Sequence, residues 1–363
     1  MTRGCGNLPA LVERNKAFLA GLWRGEHCAR PGFICLPASG GIFEPPGDYT
    51  LSDQPVGQWV GRVVEDYQRQ VKMLEALGDD AVPLAPLSTG THVYAAAFGC
   101  RVHTYTDNNP AAMPLVRTAA EADALQMPDV WKSPTLYRVF ELAHAVQREL
   151  GQEAPVGSPD AQTGFDTACL VWNKQDLYLA MMDRQDKEAV KRLTQKCSRL
   201  LQTFWIELRR EFPTIAPCHC PPVWTPPESA PQVSNDECGS MSAAMFEEFC
   251  LPELVDLSRT FGGLGMHCCA DAEHQFALFN RIPGFQYFNR VAARRGYLPL
   301  LDHFAGPAAP AHVLAWVEED QIAALLGQAA PGTRFVFVRM GTQSVAEGRA
   351  WLDRMHALAR RGR

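Results

Sequence analysis

The stretch Gly263-Leu264-Gly265-Met266-His267 is a short apolar run that ends in a histidine. It follows residues 245–261, in which apolar side chains recur at helical spacing. A short, continuous apolar run of this kind is typical of a parallel strand that is buried on both faces. The sequence therefore predicts a helix followed by a buried strand.

The same alternation of strand and helix extends over the whole chain. Strands are predicted at residues 32–36, 79–84, 154–158, 263–267, 285–289 and 334–338. Helices are predicted at residues 8–22, 56–77, 133–150, 245–261, 273–279, 313–326 and 345–358, with two more within 177–212. Such alternation implies βαβ units, which fit a closed barrel or a doubly wound open sheet. No glycine-rich phosphate fingerprint follows a strand, which weakens the dinucleotide-binding alternative.

Length and composition favour one large globular unit. The 363 residues are 47% hydrophobic and 20% charged, and α/β barrels of this size form single domains. We therefore expect one domain over residues 1–363, with an N-terminal helix at about residues 1–25. Six prolines within residues 217–231 predict a long loop without regular structure.

The charge and the cysteines restrict the partners and the compartment. A net charge of -6 without a basic cluster argues against nucleic acid as a partner. The chain has no apolar window long enough to span a membrane and no signal-peptide pattern at its start, so we expect a cytoplasmic protein. In that reducing compartment the twelve cysteines are expected to be thiols, metal ligands or nucleophiles.

The end of the strand at residues 263–267 carries the strongest chemical signal. Side chains two positions apart in an extended chain face the same way, so His267 and Cys269 are expected to point to one place. Imidazole and thiolate are both good zinc donors. The alternative is a buried histidine and two buried thiols at a strand end.

Two other segments contain ligand-type residues. A helix that Ser242 is expected to cap follows Asp236, Glu237 and Cys238. These three residues either supply a carboxylate and a thiolate to the site, or they only form a solvated loop. Cys218-His219-Cys220 lies in the proline-rich loop, where an irregular loop is favoured over a structural metal site.

Several motifs, taken in order, resemble the uroporphyrinogen decarboxylase superfamily, from about residue 30 to residue 358. The segments similar to the family are residues 77–83, 97–102, 158–166 and 183–193, and residues 242–254, which resemble its Ser-Pro-x-x-Phe-x-x-Phe-x-x-Pro helix. The resemblance implies a (β/α)8 TIM-type barrel, an α/β fold whose active site lies at the carboxyl ends of the strands.

Within that superfamily the motifs favour methyl transfer over porphyrinogen decarboxylation. Decarboxylases of the family bind propionate groups with an Arg-Gln-Ala-Gly-Arg-Tyr motif, and residues 30–41 of this chain contain no such cluster. Methylcobamide:thiol methyltransferases hold zinc with a His-x-Cys motif and a later cysteine, and His267-Cys268-Cys269 matches the first part. The later cysteine is missing, because no cysteine follows Cys269 and the last strand region, residues 338–342, has none. Either Cys238 or Glu237 is therefore expected to replace it, or the site no longer binds zinc tightly.

The resemblance implies a zinc-dependent methyltransferase that moves a methyl group from a corrinoid partner protein to a small thiol. The expected catalytic residues are Asp80, Asp160 and His303, with Asp302 an alternative to His303. The expected substrate-binding residues are Gln162, Phe165, Asp236 and Arg339. Two alternatives remain. One is a metal-independent decarboxylase of a small acid that uses Asp80 and Arg339, and the other is a non-catalytic barrel that binds a ligand.

Overall fold

The computed structural model describes residues 8–26, 30–38, 56–103, 105, 110–291 and 293–361. The strands, numbered along the chain, are β1 (Gly32–Pro37), β2 (Ala85–Pro86), β3 (Val102–His103), β4 (Ala111–Ala112), β5 (Val156–Gly157), β6 (Gln232–Ser234), β7 (Leu264–Cys268), β8 (Phe285–Arg290), β9 (Ala311–Ala315) and β10 (Phe335–Thr342).

The helices cover most of the remaining chain. They are α1 (Leu8–Trp23), α2 (Val56–Leu77), α3 (Val93–Ala97), α4 (Ala119–Ala124), α5 (Pro134–Leu150), α6 (Gly164–Val171), α7 (Lys174–Met182), α8 (Lys187–Glu211), α9 (Ala243–Phe249), α10 (Leu251–Phe261), α11 (Phe276–Phe279), α12 (Glu319–Gln328) and α13 (Val345–Arg361). Short 3-10 helices lie at Glu237–Ser240, Glu273–Gln275 and Leu298–Leu300. Residues 1–7 of the predicted N-terminal helix lie outside the described residues. None of the described helices combines the length and the apolar character that crossing a membrane requires.

Six strands form a parallel central sheet in the order β1-β10-β9-β8-β7-β6. Both faces of the sheet are buried, because successive residues of one strand enter different apolar clusters. Phe33 and Leu314 belong to the larger cluster, whereas Ile34 and Val313 belong to the smaller one. This burial explains why the strands appear in the sequence as continuous apolar runs.

The sheet does not close into the predicted barrel by regular strand pairing. β2 and β5 pair only with each other, and β3 and β4 form a separate antiparallel pair. A backbone hydrogen bond links β1 to residue 80 (Asp80 N–H to Phe33 O, 3.1 Å), and isolated bridges link β5 to residue 216 and residue 162 to β6. Prolines at positions 83, 86, 155, 159, 217, 221 and 222 occupy this side of the fold, and each removes a backbone donor from the ladder.

Two further differences from the sequence prediction have local causes. The helix predicted at residues 313–326 is wrong in its first part, since Ala311–Ala315 is the fully buried strand β9; a short apolar run has no periodicity that separates strand from helix. The helix predicted at residues 245–261 is two helices that meet at Cys250, where Pro252 stands in the first turn of α10.

A buried carboxylate fixes the start of α6. Glu253 accepts hydrogen bonds from the backbone N–H groups of Gly164 (2.8 Å) and Phe165 (2.7 Å), which are otherwise unpaired donors of a helix start. A Cβ atom at Gly164 would overlap Glu253 and approach Thr194 O to 2.5 Å and Ser198 N to 2.8 Å. Only glycine therefore lets α6 approach α8 and Glu253 so closely.

We expect Gly164→Ala to lower the free energy of unfolding by about 1–3 kcal/mol, because the added methyl group must displace backbone atoms of α8. Chemical denaturation monitored by circular dichroism measures this loss. Gly327→Ala is the matched control, since Gly327 lies on α12 with nothing within 4 Å of an added Cβ. Equal stability of the two variants would contradict the interpretation.

Candidate metal centre

Three adjacent strands bring polar side chains together at their carboxyl ends. Ser234 on β6 pairs with His267 on β7, and His267 pairs with Asn289 on β8. Because these strands are parallel, the three paired residues lie side by side near the carboxyl ends of the strands, at one edge of the sheet. In α/β folds this edge is where ligands bind.

Asn289 determines which nitrogen of His267 is available. The Asn289 amide donates from Nδ2 to the carbonyl of Val313 (2.6 Å), so its Oδ1 faces His267 Nδ1 at 2.6 Å. Nδ1 is therefore the protonated nitrogen, and the lone pair of Nε2 points the other way. His267 is 4% exposed, so the surrounding protein holds this orientation.

The thiol of Cys269 lies at the free nitrogen of His267. The distance from His267 Nε2 to Cys269 Sγ is 2.8 Å, short enough for the thiol to donate to the imidazole. Burial of the sulfur raises the pKa of the Cys269 thiol to about 12, and the carboxylate of Asp236 adds to this rise. The residue nevertheless reaches the protein surface, so a ligand has access to it.

Asp236 completes the cluster. Its Oδ1 accepts the backbone N–H of Cys269 at 2.5 Å. Burial raises the pKa of Asp236, while His267 and the Cys269 N–H oppose that rise. The side chains that could hold a metal ion are those of His, Cys, Asp and Glu. Among the groups of three such side chains in the described part of the chain, Asp236, His267 and Cys269 are the one group whose candidate ligand atoms lie within 4.8 Å of one another.

A second layer of polar residues surrounds Asp160. Asp160 Oδ1 accepts from Gln162 Nε2 (2.8 Å) and from Ser234 Oγ (3.2 Å), and it lies 3.5 Å from His219 Nε2. His219 also contacts Ser234 Oγ at 3.0 Å, and its ring centroid is 6.3 Å from that of His267. Asp160 and Gln162, predicted from the sequence, therefore lie next to the three-residue cluster.

The proline-rich loop supplies His219, which the sequence analysis treated as part of an irregular loop. Gln232, on β6, holds this loop by accepting the backbone N–H groups of His219 (3.0 Å) and Cys220 (2.8 Å). Burial lowers the pKa of His219 to about 4, against the opposing effect of Asp160. The imidazole is therefore neutral at physiological pH.

Asn289 and Ser234 were also absent from the predicted site. Each stands at or near the end of a short apolar run, as His267 does. A polar residue at the end of a predicted parallel strand is the signal that could have identified Asn289. The partner of Asn289 could not be inferred without knowing which strands are neighbours.

The two residues proposed as the replacement ligand do not join the cluster. Cys238 is fully buried, and its thiol donates to the carbonyl of Asn235 (2.9 Å) and lies 3.6 Å from Cys268 Sγ. Glu237 forms an ion pair with Lys174 at 2.5 Å. Residues 237–240 form a 3-10 helix. Their side chains therefore do not point the same way as the side chain of Asp236.

Asp80 and Arg339 are occupied in ion pairs away from the cluster. Asp80 is buried, receives two hydrogen bonds of 2.6 Å from Arg30 and accepts the N–H of Phe33 near the start of β1. Arg339 pairs with Glu347 of α13 at 2.5 Å. Asp80 thus holds the start of β1 together with Arg30, and each of the two residues that a decarboxylase was expected to use is engaged in its own ion pair.

Phe165 and His303 also lie outside the cluster. Phe165 is fully buried on α6, so it packs in the core. The His303 ring meets Phe276 edge-on and Phe304 at a tilt, with ring centroids 5.8 and 6.1 Å apart, and neighbouring Asp302 lines a separate surface cavity. The prediction for Phe165 rested on the resemblance of residues 158–166 to a family segment and that for His303 on its place in the chain, and neither specifies the direction of a side chain.

Comparison with known proteins supports the family resemblance. The profile of the family described as uroporphyrinogen decarboxylase (URO-D) matches residues 68–211. A methyltransferase from Methanosarcina mazei has a similar structure, with a TM-score of 0.65 over 94% of this chain and 98% of that chain, at 12% sequence identity. At this identity the likeness concerns the fold. No curated protein sequence matches the chain significantly. The resemblance predicted from the motifs is confirmed.

The hydrogen bond between Asn289 and His267 predicts a single imidazole tautomer. We expect nitrogen-15 NMR of the wild-type protein to show a protonated Nδ1 and an unprotonated Nε2 for His267. Asn289→Ala removes the acceptor, so both tautomers should appear in the spectrum. Asn280→Ala, at an exposed position, is the control and should leave the spectrum unchanged. A mixture of tautomers already present in the wild type would contradict the assignment.

Proposed function

We propose, from the resemblance to the uroporphyrinogen decarboxylase superfamily, that this protein is a zinc-dependent methyltransferase that methylates a small thiol with a corrinoid protein as donor. The observation that carries the proposal is the convergence of His267 Nε2, Cys269 Sγ and an Asp236 oxygen within 4.8 Å. The similarity in fold to a methyltransferase from Methanosarcina mazei also supports methyl transfer.

The three side chains fit zinc by their chemistry. Zinc binds imidazole nitrogen, thiolate sulfur and carboxylate oxygen, and its catalytic sites use three protein ligands with an open fourth position. Asp236 takes the place that the sequence analysis gave to Cys238 or Glu237. Asn289 would be the outer partner of a zinc-binding histidine, since it accepts the Nδ1–H and directs Nε2 into the site.

A zinc ion bound there would lower the pKa of a substrate thiol so that the thiolate is available at neutral pH. Two residues of the chain would help to form this zinc site. Cys269, whose thiol pKa is raised in the metal-free protein, would hold the ion as a thiolate after releasing its proton to solvent. Asp236 keeps the backbone of Cys269 in position through the hydrogen bond to its N–H.

The proposed reaction is a simple displacement. The substrate sulfur forms a bond to the methyl carbon, and the cobalt–carbon bond of the corrinoid breaks with its electron pair left on cobalt. The proton of the thiol is released to solvent. The products are a methyl thioether and the reduced corrinoid.

We further propose that the fold is a single (β/α)8-type barrel. The backbone contacts that link β1 to residue 80, β5 to residue 216 and residue 162 to β6 support this arrangement. The ten described cysteines are free thiols, which supports a reducing, cytoplasmic location.

The purified protein is expected to bind about one zinc ion per chain, measured by elemental analysis after reconstitution and gel filtration. Cys269→Ser, His267→Ala and Asp236→Asn should each reduce zinc retention, because each removes a ligand. Asn289→Ala should weaken zinc binding by about 10- to 100-fold through loss of the outer partner.

Cys238→Ser is the matched control, since Cys238 is buried nearby without belonging to the ligand set. Its circular dichroism spectrum verifies that it is folded. The proposal fails if folded wild-type protein retains no zinc, or if Cys238→Ser and Cys269→Ser lose zinc to the same extent.

Zinc-loaded protein is expected to transfer the methyl group of methylcobalamin to 2-mercaptoethanol, seen as loss of the methylcobalamin absorption. Treatment with a chelator should stop the reaction, and added zinc should restore it. Cys269→Ser should react no faster than the mixture without protein. A chelated protein that keeps its full rate would exclude zinc from the reaction.

A further inference from the structure

A buried arginine on α5 has no anionic partner among the described residues. Arg138 is 4% exposed, and the Nε and Nη2 atoms of its guanidinium group are buried without a hydrogen-bond partner. None of the ion pairs formed by the described residues includes it. Glu141, one turn further along α5, is exposed and does not pair with Arg138. Because arginine stays protonated in proteins, this position buries a full positive charge.

A second buried arginine shows how this chain compensates such a charge elsewhere. Among the described residues, Arg290 is the one other arginine that is almost fully buried, at 1% exposure. Its guanidinium group lies over the ring of Phe276, with 5.1 Å between Cζ and the ring centroid, and donates to Asp271 at 3.1 Å. Arg138 lies over the ring of Trp59 on α2 at a similar distance, 5.0 Å. The two arginines therefore share the aromatic contact, and the carboxylate distinguishes them.

The unpaired atoms of Arg138 determine which chemical group fits. Nε and Nη2 carry parallel N–H bonds along one edge of the planar guanidinium group. This edge matches two oxygen atoms of a carboxylate or a phosphate group, which it binds with two parallel hydrogen bonds. A water molecule would accept hydrogen bonds there but would leave the buried charge uncompensated. The geometry and the charge therefore both favour an oxyanion.

Two helix starts add positive potential at the same place. Trp59 belongs to the first turn of α2, and Arg138 follows the first turn of α5, so their contact brings the N-terminal ends of both helices together. Neither first turn contains an acidic residue. The side chain of Ser133 does not cap α5 and contacts the hydroxyl of Thr135 instead, at 3.1 Å. Helix N-termini attract anions, and no acidic residue in these two first turns offsets that attraction.

We infer that Arg138 and the first turns of α2 and α5 form a binding site for an oxyanion, namely a carboxylate or phosphate group of a small molecule. The Nε–Nη2 edge of Arg138 binds two oxygen atoms of the anion, while Trp59 covers one face of the guanidinium group. Binding pairs a charge whose burial is costly in the anion-free protein. The inference goes beyond the proposed function and does not depend on it, because none of these residues belongs to the candidate metal centre.

Isothermal titration calorimetry of the full-length protein with sodium phosphate and with sodium succinate tests the inference. The wild type is expected to bind one of the two anions more tightly, which identifies the ligand as a phosphate or a carboxylate compound. Arg138→Lys keeps the positive charge but loses the two-pronged edge, so it should bind that anion at least about tenfold more weakly. Arg148→Met is the matched control, since Arg148 is exposed in the last turn of α5, and it should bind as the wild type does.

Thermal unfolding separates an anion site from a structural role of Arg138. In a buffer without oxyanions, Arg138→Met should melt no lower than the wild type, because it removes an uncompensated buried charge and keeps an apolar side chain. The anion should raise the melting temperature of the wild type but not that of Arg138→Met, and sodium chloride at equal ionic strength should not reproduce the rise.

Three results would overturn the inference. The first is that the wild type binds neither phosphate nor succinate, and the second is that Arg138→Lys binds them as tightly as the wild type does. The third is that Arg138→Met melts well below the wild type in the oxyanion-free buffer, which would make Arg138 a structural residue held by its contact with Trp59.

Discussion

The parallel register of β6, β7 and β8 is the constraint on which the site depends. It sets Ser234, His267 and Asn289 side by side, so that the amide of Asn289 can fix the imidazole of His267. A shift of one residue between β7 and β8 would turn Asn289 to the other face of the sheet and leave His267 without its partner. The apolar residues before these three, which are buried on both faces of the sheet, resist such a shift.

A second constraint comes from carboxylates that hold turns and helix starts. Asp166 accepts the backbone N–H of Asp236 at 2.5 Å, and Glu253 receives the first N–H groups of α6. Burial raises the pKa of both acids. Asp166 thus supports the backbone at Asp236, and Glu253 supports the helix from which Asp166 extends, while Cys269 remains accessible.

Sequence patterns predicted the order of most strands and helices because apolar runs and helical periodicity are local properties. They failed at Ala311–Ala315, where a short apolar run carries no period, and at Cys250, where a proline divides one predicted helix into two. The predicted closure of the barrel is likewise not seen as regular strand pairing among the described residues. Strand pairing depends on backbone donors, and the prolines on the side of β2 and β5 remove many of them.

The pairing of His267 with Cys269 followed from the sequence alone, because alternation along an extended chain holds wherever that strand lies. The family resemblance likewise needed only motifs in order. The third member of the cluster, Asp236 in place of Cys238 or Glu237, was decided by the tertiary structure, since the 3-10 turn at Glu237–Ser240 directs neighbouring side chains apart. Tertiary structure alone also brought Asn289 and His219 to the site, because one lies on β8 and the other in the proline-rich loop, and their contacts with His267 exist only once the strands are ordered in the fold.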